Sequence, residues 1–403
     1  MKIKGYGHLT YCTNIHPGET WLEVFKSLND YVLPIKEKVS PSQPFGIGLR
    51  LSNAASLDLI KGENLRAFKS WLDEKQLYVF TMNGFPYGGF HGERVKDKVH
   101  YPDWTSQERL AYTLRLAKIL AYILPEDLEG GISTSPISYK PWIEEEKESR
   151  ERIMNLACRH FFQLLEELIK IKENTGRTIH IDIEPEPDGL LEDSEELAEF
   201  FKFYLIPDGK EYLKHKLAVS SADAKSLIKN HIRACYDVCH HALAYENPSE
   251  VFKKYEEVGI KIGKIQISAG LKVFLKDREQ RKEVLGKLKL FEESTYLHQV
   301  LERKGNKKSK QYPDLPQALN NILETEGEEW RVHFHVPLFV DNYDLLQSTQ
   351  TDIIEVLNLH KKNLLTSHLE VETYTWDVLP TDLKLNLKES IQREMEWVIK
   401  QLS

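Results

Sequence analysis

The sequence predicts an α/β fold, a (β/α)8 TIM barrel, on three observations. Strand-like and helix-like segments alternate along nearly all of the 403 residues, the pattern of a parallel sheet covered by helices. Eight of the segments read as core strands, each followed by a polar loop and a helical stretch. Within several of those strands apolar and polar residues alternate, and the polar ones collect toward the C-terminal ends, where the sites of this fold lie.

The strands are expected at His8–Thr13, Phe45–Ser52, Leu77–Asn83, Gly131–Ser135, Thr178–Pro185, Arg233–Val238, Gly263–Ser268 and His368–Tyr374. Helical spacing is clearest in Gln107–Ile123, through Leu110, Leu114, Ala117 and Ala121, and in Glu144–Glu173, where Ile153, Ala157, Phe161, Leu164 and Leu168 share a face. A last helix, about Leu387 to Leu402, closes the barrel. One domain covering 1–403 is expected, since barrels run past ~250 residues as one unit. Inside it, 272–325 reads as a charged, mostly helical insertion before the last βα unit. Trp330–Val340 follows as an extended segment.

Composition narrows the function classes. Hydrophobic residues at 41% and charged residues at 29% suit a soluble globular chain with a full core. No apolar run reaches the ~20 residues that span a bilayer, and the N-terminus shows no secretory h-region, so a cytoplasmic protein is expected. The four cysteines, Cys12, Cys158, Cys235 and Cys239, are too sparse for a disulfide scaffold. A net charge of −8 argues against nucleic acid as a partner, which needs a basic face. The run of lysines and arginines from Lys272 to Lys310 is either a solvated surface or an anion-attracting lid.

The alternation also sorts the polar side chains. In Ile179-His180-Ile181-Asp182-Ile183-Glu184 the isoleucines face the helices, leaving His180, Asp182 and Glu184 inward. Glu184, followed by Pro185, ends its strand at the active rim. An inward carboxylate costs several kcal/mol (~) unless it is paired or binds a metal. Asp237 ends the sixth strand and His240 follows three residues later. Gln266 faces inward on the seventh strand, and Glu370 and Glu372 on the eighth. His333 and His335 share a face by the two-residue period. Carboxylates from separate strands beside imidazoles point to a divalent ion, and mixed oxygen and nitrogen donors favour Mn2+, Zn2+, Co2+ or Fe2+ over Ca2+. Asn14, Asn83, Ser133 and Ser135, at strand ends, could bind substrate hydroxyls. Arg50, at the end of the second strand, could bind an anion or lie in a salt bridge. Most tryptophans read as packing, with Trp376 and Trp104 as pocket candidates.

These residues resemble those of the xylose-isomerase-like TIM barrels, a superfamily that includes sugar isomerases, ketose 3-epimerases and endonuclease IV. Ile183-Glu184-Pro185-Glu186-Pro187 resembles the metal-binding Glu-Pro-Lys-Pro stretch of the isomerases. Asp237-Val238-Cys239-His240 is similar to the Asp-Thr-Cys-His of endonuclease IV, His333-Phe334-His335 to its Asp-x-His pair, and Val371-Glu372-Thr373 to its last Glu-Thr strand. The stretch from His8 to Trp21, together with Gly130–Pro136, His333–Phe339 and Glu370–Trp376, resembles the EboE family of metabolite traffic proteins. The resemblance implies a metal held by Glu184, Asp237, His240, Gln266, His333, His335 and Glu372, and partners in metabolite export. Two departures stand out. Gln266 replaces the metal-binding histidine of epimerases, and Glu186 replaces the isomerase lysine that polarises the substrate. His16 and His91 are the nearest candidates for the endonuclease's N-terminal histidine ligands.

The expected chemistry is therefore metal-dependent isomerisation or epimerisation of a small oxygenated metabolite, with Glu184 and Glu372 moving the proton. Metal-assisted phosphoester hydrolysis and non-catalytic metabolite binding stand as alternatives.

Overall fold

The computed structural model describes residues 1–91, 95–146, 149–292, 295–376, 379 and 381–403. Its main sheet runs β1-β2-β15-β8-β7-β6-β5-β4-β3. These strands are β1 Lys2–Ile3, β2 Gly7–Tyr11, β3 Phe45–Arg50, β4 Leu77–Asn83, β5 Gly130–Thr134, β6 Ile179–Ile183, β7 Ile232–Asp237, β8 Ile262–Ile267 and β15 His368–Val371. β1 is an antiparallel flap on β2. The other eight correspond to the eight predicted strands, and each bonded pair among them is parallel. The ring closes where Cys12, one residue past β2, bridges Gly48 of β3 in parallel. The Thr10 hydroxyl reinforces that seam, donating to the Gly46 carbonyl at 2.7 Å and accepting from the Gly48 amide at 2.9 Å.

The strand alternation works as the sequence predicts. Ile179, Ile181 and Ile183 are fully buried, while His180 and Asp182 meet inside the ring at 2.6 Å. Space for Asp182 comes from Gly263 on β8, where a Cβ would lie 1.8 Å from Asp182 Oδ1. One polar pair was not anticipated. Lys264 points inward from β8 and meets Glu370 of β15 at 2.7 Å, both side chains without solvent exposure. Burial opposes the lysine's charge, but the adjacent carboxylate keeps it protonated.

Helices pack outside the ring. Gln107–Ile123 begins at Ser106, whose side chain accepts from the Glu108 and Arg109 amides. The long helix expected from Glu144 instead starts after Ser149, which caps Arg150–Thr175, and ends at Gly176 with φ +72°. A separate helix, Lys140–Glu146, precedes it, and residues 147–148 lie outside the described part. Leu387–Leu402, capped by Asn386, completes the outer layer. No helix among the described residues is long and apolar enough to cross a membrane.

The insertion differs from the helical expectation. Arg278–Leu288 is a helix, but its neighbours form a second, antiparallel sheet in the order β11-β10-β12-β9-β14-β13. The strands are β9 Ala269–Phe274, β10 Val300–Lys304, β11 Lys307–Tyr312, β12 Glu329–Val336, β13 Asn342–Tyr343 and β14 Leu346–Ser348. Charged residues in Val300–Tyr312 mask a hairpin whose turn is the pair Gly305-Asn306, with Gly305 at φ +58°. One apolar cluster runs through both sheets, with Leu271, Val273 and Trp330 joining the barrel core. Several basic residues of this segment form ion pairs, among them Lys282 with Glu279, Lys304 with Glu326 and Arg303 with Glu329. These paired charges belong to a solvated surface.

Candidate metal centre

Three carboxylates reach one point from three strands. Glu184 follows β6, its amide donating to the Thr134 carbonyl at 3.0 Å. Asp237 ends β7 and caps the helix Val238–Leu243, so its Oδ1 accepts from the His240 amide at 2.9 Å and from Ser268 Oγ at 2.8 Å. Glu372 follows β15, its amide held by the Ile267 carbonyl at 3.0 Å. One oxygen from each of Glu184, Asp237 and Glu372 falls within 4.8 Å of the other two. Glu184 Oε2, Asp237 Oδ2 and Glu372 Oε2 are buried without a hydrogen-bond partner. Three acceptors of one sign, desolvated and aimed together, are stable only with a cation or protons among them.

Imidazoles complete the sphere. A ligand atom each from Asp237, His240 and His335 also lies within 4.8 Å. His335 arrives through an irregularity in the second sheet. β12 pairs with β9 at Val332–Leu271 and again at Val336–Ala269, so three residues, His333-Phe334-His335, stand opposite Gly270 alone. Such a bulge re-aims side chains. It brings both histidines to His240, with ring centroids 4.8 Å (His333) and 5.5 Å (His335) away.

Hydrogen bonds fix two of the tautomers. His240 Nδ1 faces the Pro185 carbonyl at 3.1 Å and must donate to it. Gln299 donates its amide to the Pro187 carbonyl, so its oxygen accepts from His333 Nδ1 at 2.8 Å. Both Nε2 atoms therefore carry lone pairs, and they face each other at 3.1 Å. A cation or a proton between them removes the repulsion, and Glu186 lies within the same 4.8 Å grouping.

Burial, followed by Glu372 and Asp237, pushes the Glu184 carboxyl well up. Burial, Asp237 and Glu370 push Glu372 up to about 8. Asp237 goes the other way: burial opposes its charge, but the His240 and His335 imidazoles hold it below the usual aspartate range. Burial lowers His240 to about 4, so its ring is neutral and open to a cation at neutral pH. The donor chemistry fits a divalent ion, with Glu184, Asp237 and Glu372 as one group of possible ligands and Asp237, His240 and His335 as another that shares the aspartate.

The remaining predicted residues divide. Asn14, Asn83, His91 and Glu186 line the cavity above this cluster, as do Glu184, His240, His333, His335 and Glu372. Glu186 is paired with buried His100 at 3.1 Å, and His91 holds the Asn14 carbonyl at 2.6 Å. Seven expectations need correction. Gln266 accepts from Cys235 Sγ at 2.9 Å and has no solvent exposure, so its oxygen is engaged away from the carboxylates. Arg50 is not an anion receptor, because Glu19 holds it at two contacts of 3.0 Å. Ser133 lies below the site and accepts from Lys264 at 3.2 Å. Ser135 is fully buried outside the cavity lining. His16 bonds Tyr11 at 2.8 Å and stacks on Tyr31. Trp376 donates to Glu394 at 3.1 Å, away from the lining. Trp104 likewise packs on Phe161 and donates to Thr134. Sequence reading missed His100, Lys264 and Gln299. Of these, Lys264 carried a signal, since the β8 alternation already placed it inward beside Gln266.

No family model and no curated protein matches the chain. Among solved structures, it is similar to an IolI protein with a bound zinc atom (11% identity, TM-score 0.48, covering 98% of each chain). It is also similar to D-psicose 3-epimerase in the presence of D-fructose (11% identity, TM-score 0.48, covering 98% of this chain and 99% of that one). A third is SacUVDE (11% identity, TM-score 0.40, covering 98% of each chain).

Proposed function

We propose that this chain is a divalent-metal-dependent isomerase or epimerase of a small oxygenated metabolite. The reading rests on Glu184, Asp237 and Glu372, each of which brings one carboxylate oxygen within 4.8 Å of the others and each of which buries an oxygen without a hydrogen-bond partner, at the rim of a closed barrel. A bound Mn2+, Zn2+, Co2+ or Fe2+ ion supplies polarisation of a substrate carbonyl, which acidifies the adjacent C–H. Glu184 and Glu372 stand on strands separated by β7 and β8, and so approach a bound substrate from different sides. One carboxylate takes the proton as the C–H bond breaks, leaving the electron pair in the substrate's enolate. The other returns a proton to the opposite face, restoring a C–H bond with inverted configuration. The sequence motifs shared with the EboE family support a role in metabolite processing or traffic.

Solvent deuterium tests this reading. Manganese-loaded protein is incubated in D2O with a panel of small hydroxyketones, 2-hydroxyacetophenone and ketose sugars included, and followed by proton NMR. The expected result is exchange of a proton on carbon next to the carbonyl, lost in Glu184→Gln and Glu372→Gln. No exchange with any hydroxyketone of the panel over the full metal series would overturn it.

One observation favours a second reading, metal-assisted phosphoester hydrolysis. The facing Nε2 atoms of His240 and His333, with Glu186 nearby, suit a second cation. Two metal ions per chain and release of phosphate from a phosphoester would support that reading over epimerisation.

A further inference from the structure

The cavity above the carboxylates has a volume of about 490 Å³, and its walls are chemically unlike its floor. Two loops beyond the strand ends build them. Phe85, Phe90, Val95 and Val99 come from the loop after β4, and Phe291 and Leu297 from the segment between the helix Arg278–Leu288 and β10. The loops are joined: the Val95 and Lys96 amides both donate to the Thr295 carbonyl at 2.8 Å, and Tyr296 donates to the Phe90 carbonyl at 2.6 Å. These contacts set the two apolar stretches side by side at the cavity.

Charge in the cavity is as one-sided as the walls. Among the described lining residues, Lys96 alone is a lysine or arginine, and its Nζ lies 2.5 Å from Asp314 Oδ2, with both side chains 11% exposed. Arg50 is outside the lining and occupied by Glu19. The floor holds carboxylates and neutral imidazoles. A phosphate or carboxylate on the substrate would meet repulsion from the acids and, among the described lining residues, no lysine or arginine without a carboxylate partner. A free hexose would leave its outer hydroxyls desolvated against phenyl rings.

We infer that the substrate is a neutral molecule with two adjacent oxygens at one end and an aromatic or branched apolar body at the other. The oxygens meet the floor, which rests on the metal reading above, and the body lies between the two loops. This sets the substrate apart from free and phosphorylated sugars.

The test is calorimetric titration of manganese-loaded protein with three probes sharing a hydroxyketone head. They are 2-hydroxyacetophenone, dihydroxyacetone and dihydroxyacetone phosphate. The phenyl compound should bind at least about tenfold more tightly than the other two, the factor that partial burial of one ring supplies. Phe291→Ser, at the half-buried rim, should erase most of that preference, and Phe291→Leu should keep it. Equal affinities, a preference for the phosphate, or no binding of the phenyl compound would each overturn the inference. The same titrations without metal separate the two claims. A retained phenyl preference with no gain on adding manganese would leave the apolar walls standing and count against the metal reading.

Discussion

At the residue scale, the site is a contest between burial and charge. Glu184 and Glu372 are pushed up by burial and by the neighbouring acids, Glu372 to about 8, while the imidazoles hold Asp237 down. A metal ion binds the ionised forms, so uptake at pH 7 should expel protons, at least one of them from Glu372. An indicator dye in weak buffer reads that release. Apparent affinity should rise about tenfold per pH unit for each proton released, with the contribution of Glu372 ending above about 8. A pH-independent affinity between 6 and 8 would contradict the assignment. His335 and Gln266 make a paired prediction. His335→Ala should weaken metal binding at least tenfold, a loss on the scale of ~10–100-fold that even outer partners of a metal cause. Gln266→Leu should leave it within about twofold, because the amide is engaged with Cys235. Glu184, Asp237 and Glu372 were legible in the sequence because strand alternation fixes which side chains face inward. The roles of Gln266 and Arg50 were not, because both depend on partners distant in sequence, Cys235 and Glu19.

At the element scale, the barrel strands could be read from the alternation of strand-like and helix-like segments, with the apolar–polar period clearest in Ile179–Glu184. The second sheet could not. Its strands are short and charged, and the bulge at His333-Phe334-His335 breaks the two-residue period on which the reading relied. The inward face of β8 carries a separate prediction. Lys264→Met would leave Glu370 buried without its partner and should cost about 3–5 kcal/mol in urea unfolding. Adding Glu370→Leu should recover most of that loss. Equal instability of the single and double variants would show that the ion pair is not what Lys264 contributes. Gly263→Ala on the same strand should cost about 1–3 kcal/mol, because the new Cβ would overlap the Asp182 carboxylate.

At the scale of the whole molecule, the closed ring and the second sheet act together: strands β6, β7 and β15 supply carboxylates, and β12 supplies imidazoles from outside the ring. Raised acids in the metal-free fold favour protonation. For Glu372, that contribution is present below its unfolded value near 4.5 and lost as pH rises through about 8. The rise in melting temperature on adding manganese should therefore grow between pH 5 and 8. At an ion concentration of 100 Kd the gain is about 2.7 kcal/mol. Elemental analysis of protein purified without chelator is the most direct check on the centre. The account predicts one divalent ion per wild-type chain and its loss in both Glu184→Gln and Glu372→Gln. Wild-type protein that stays metal-free after incubation with manganese, zinc, cobalt and ferrous iron would contradict it.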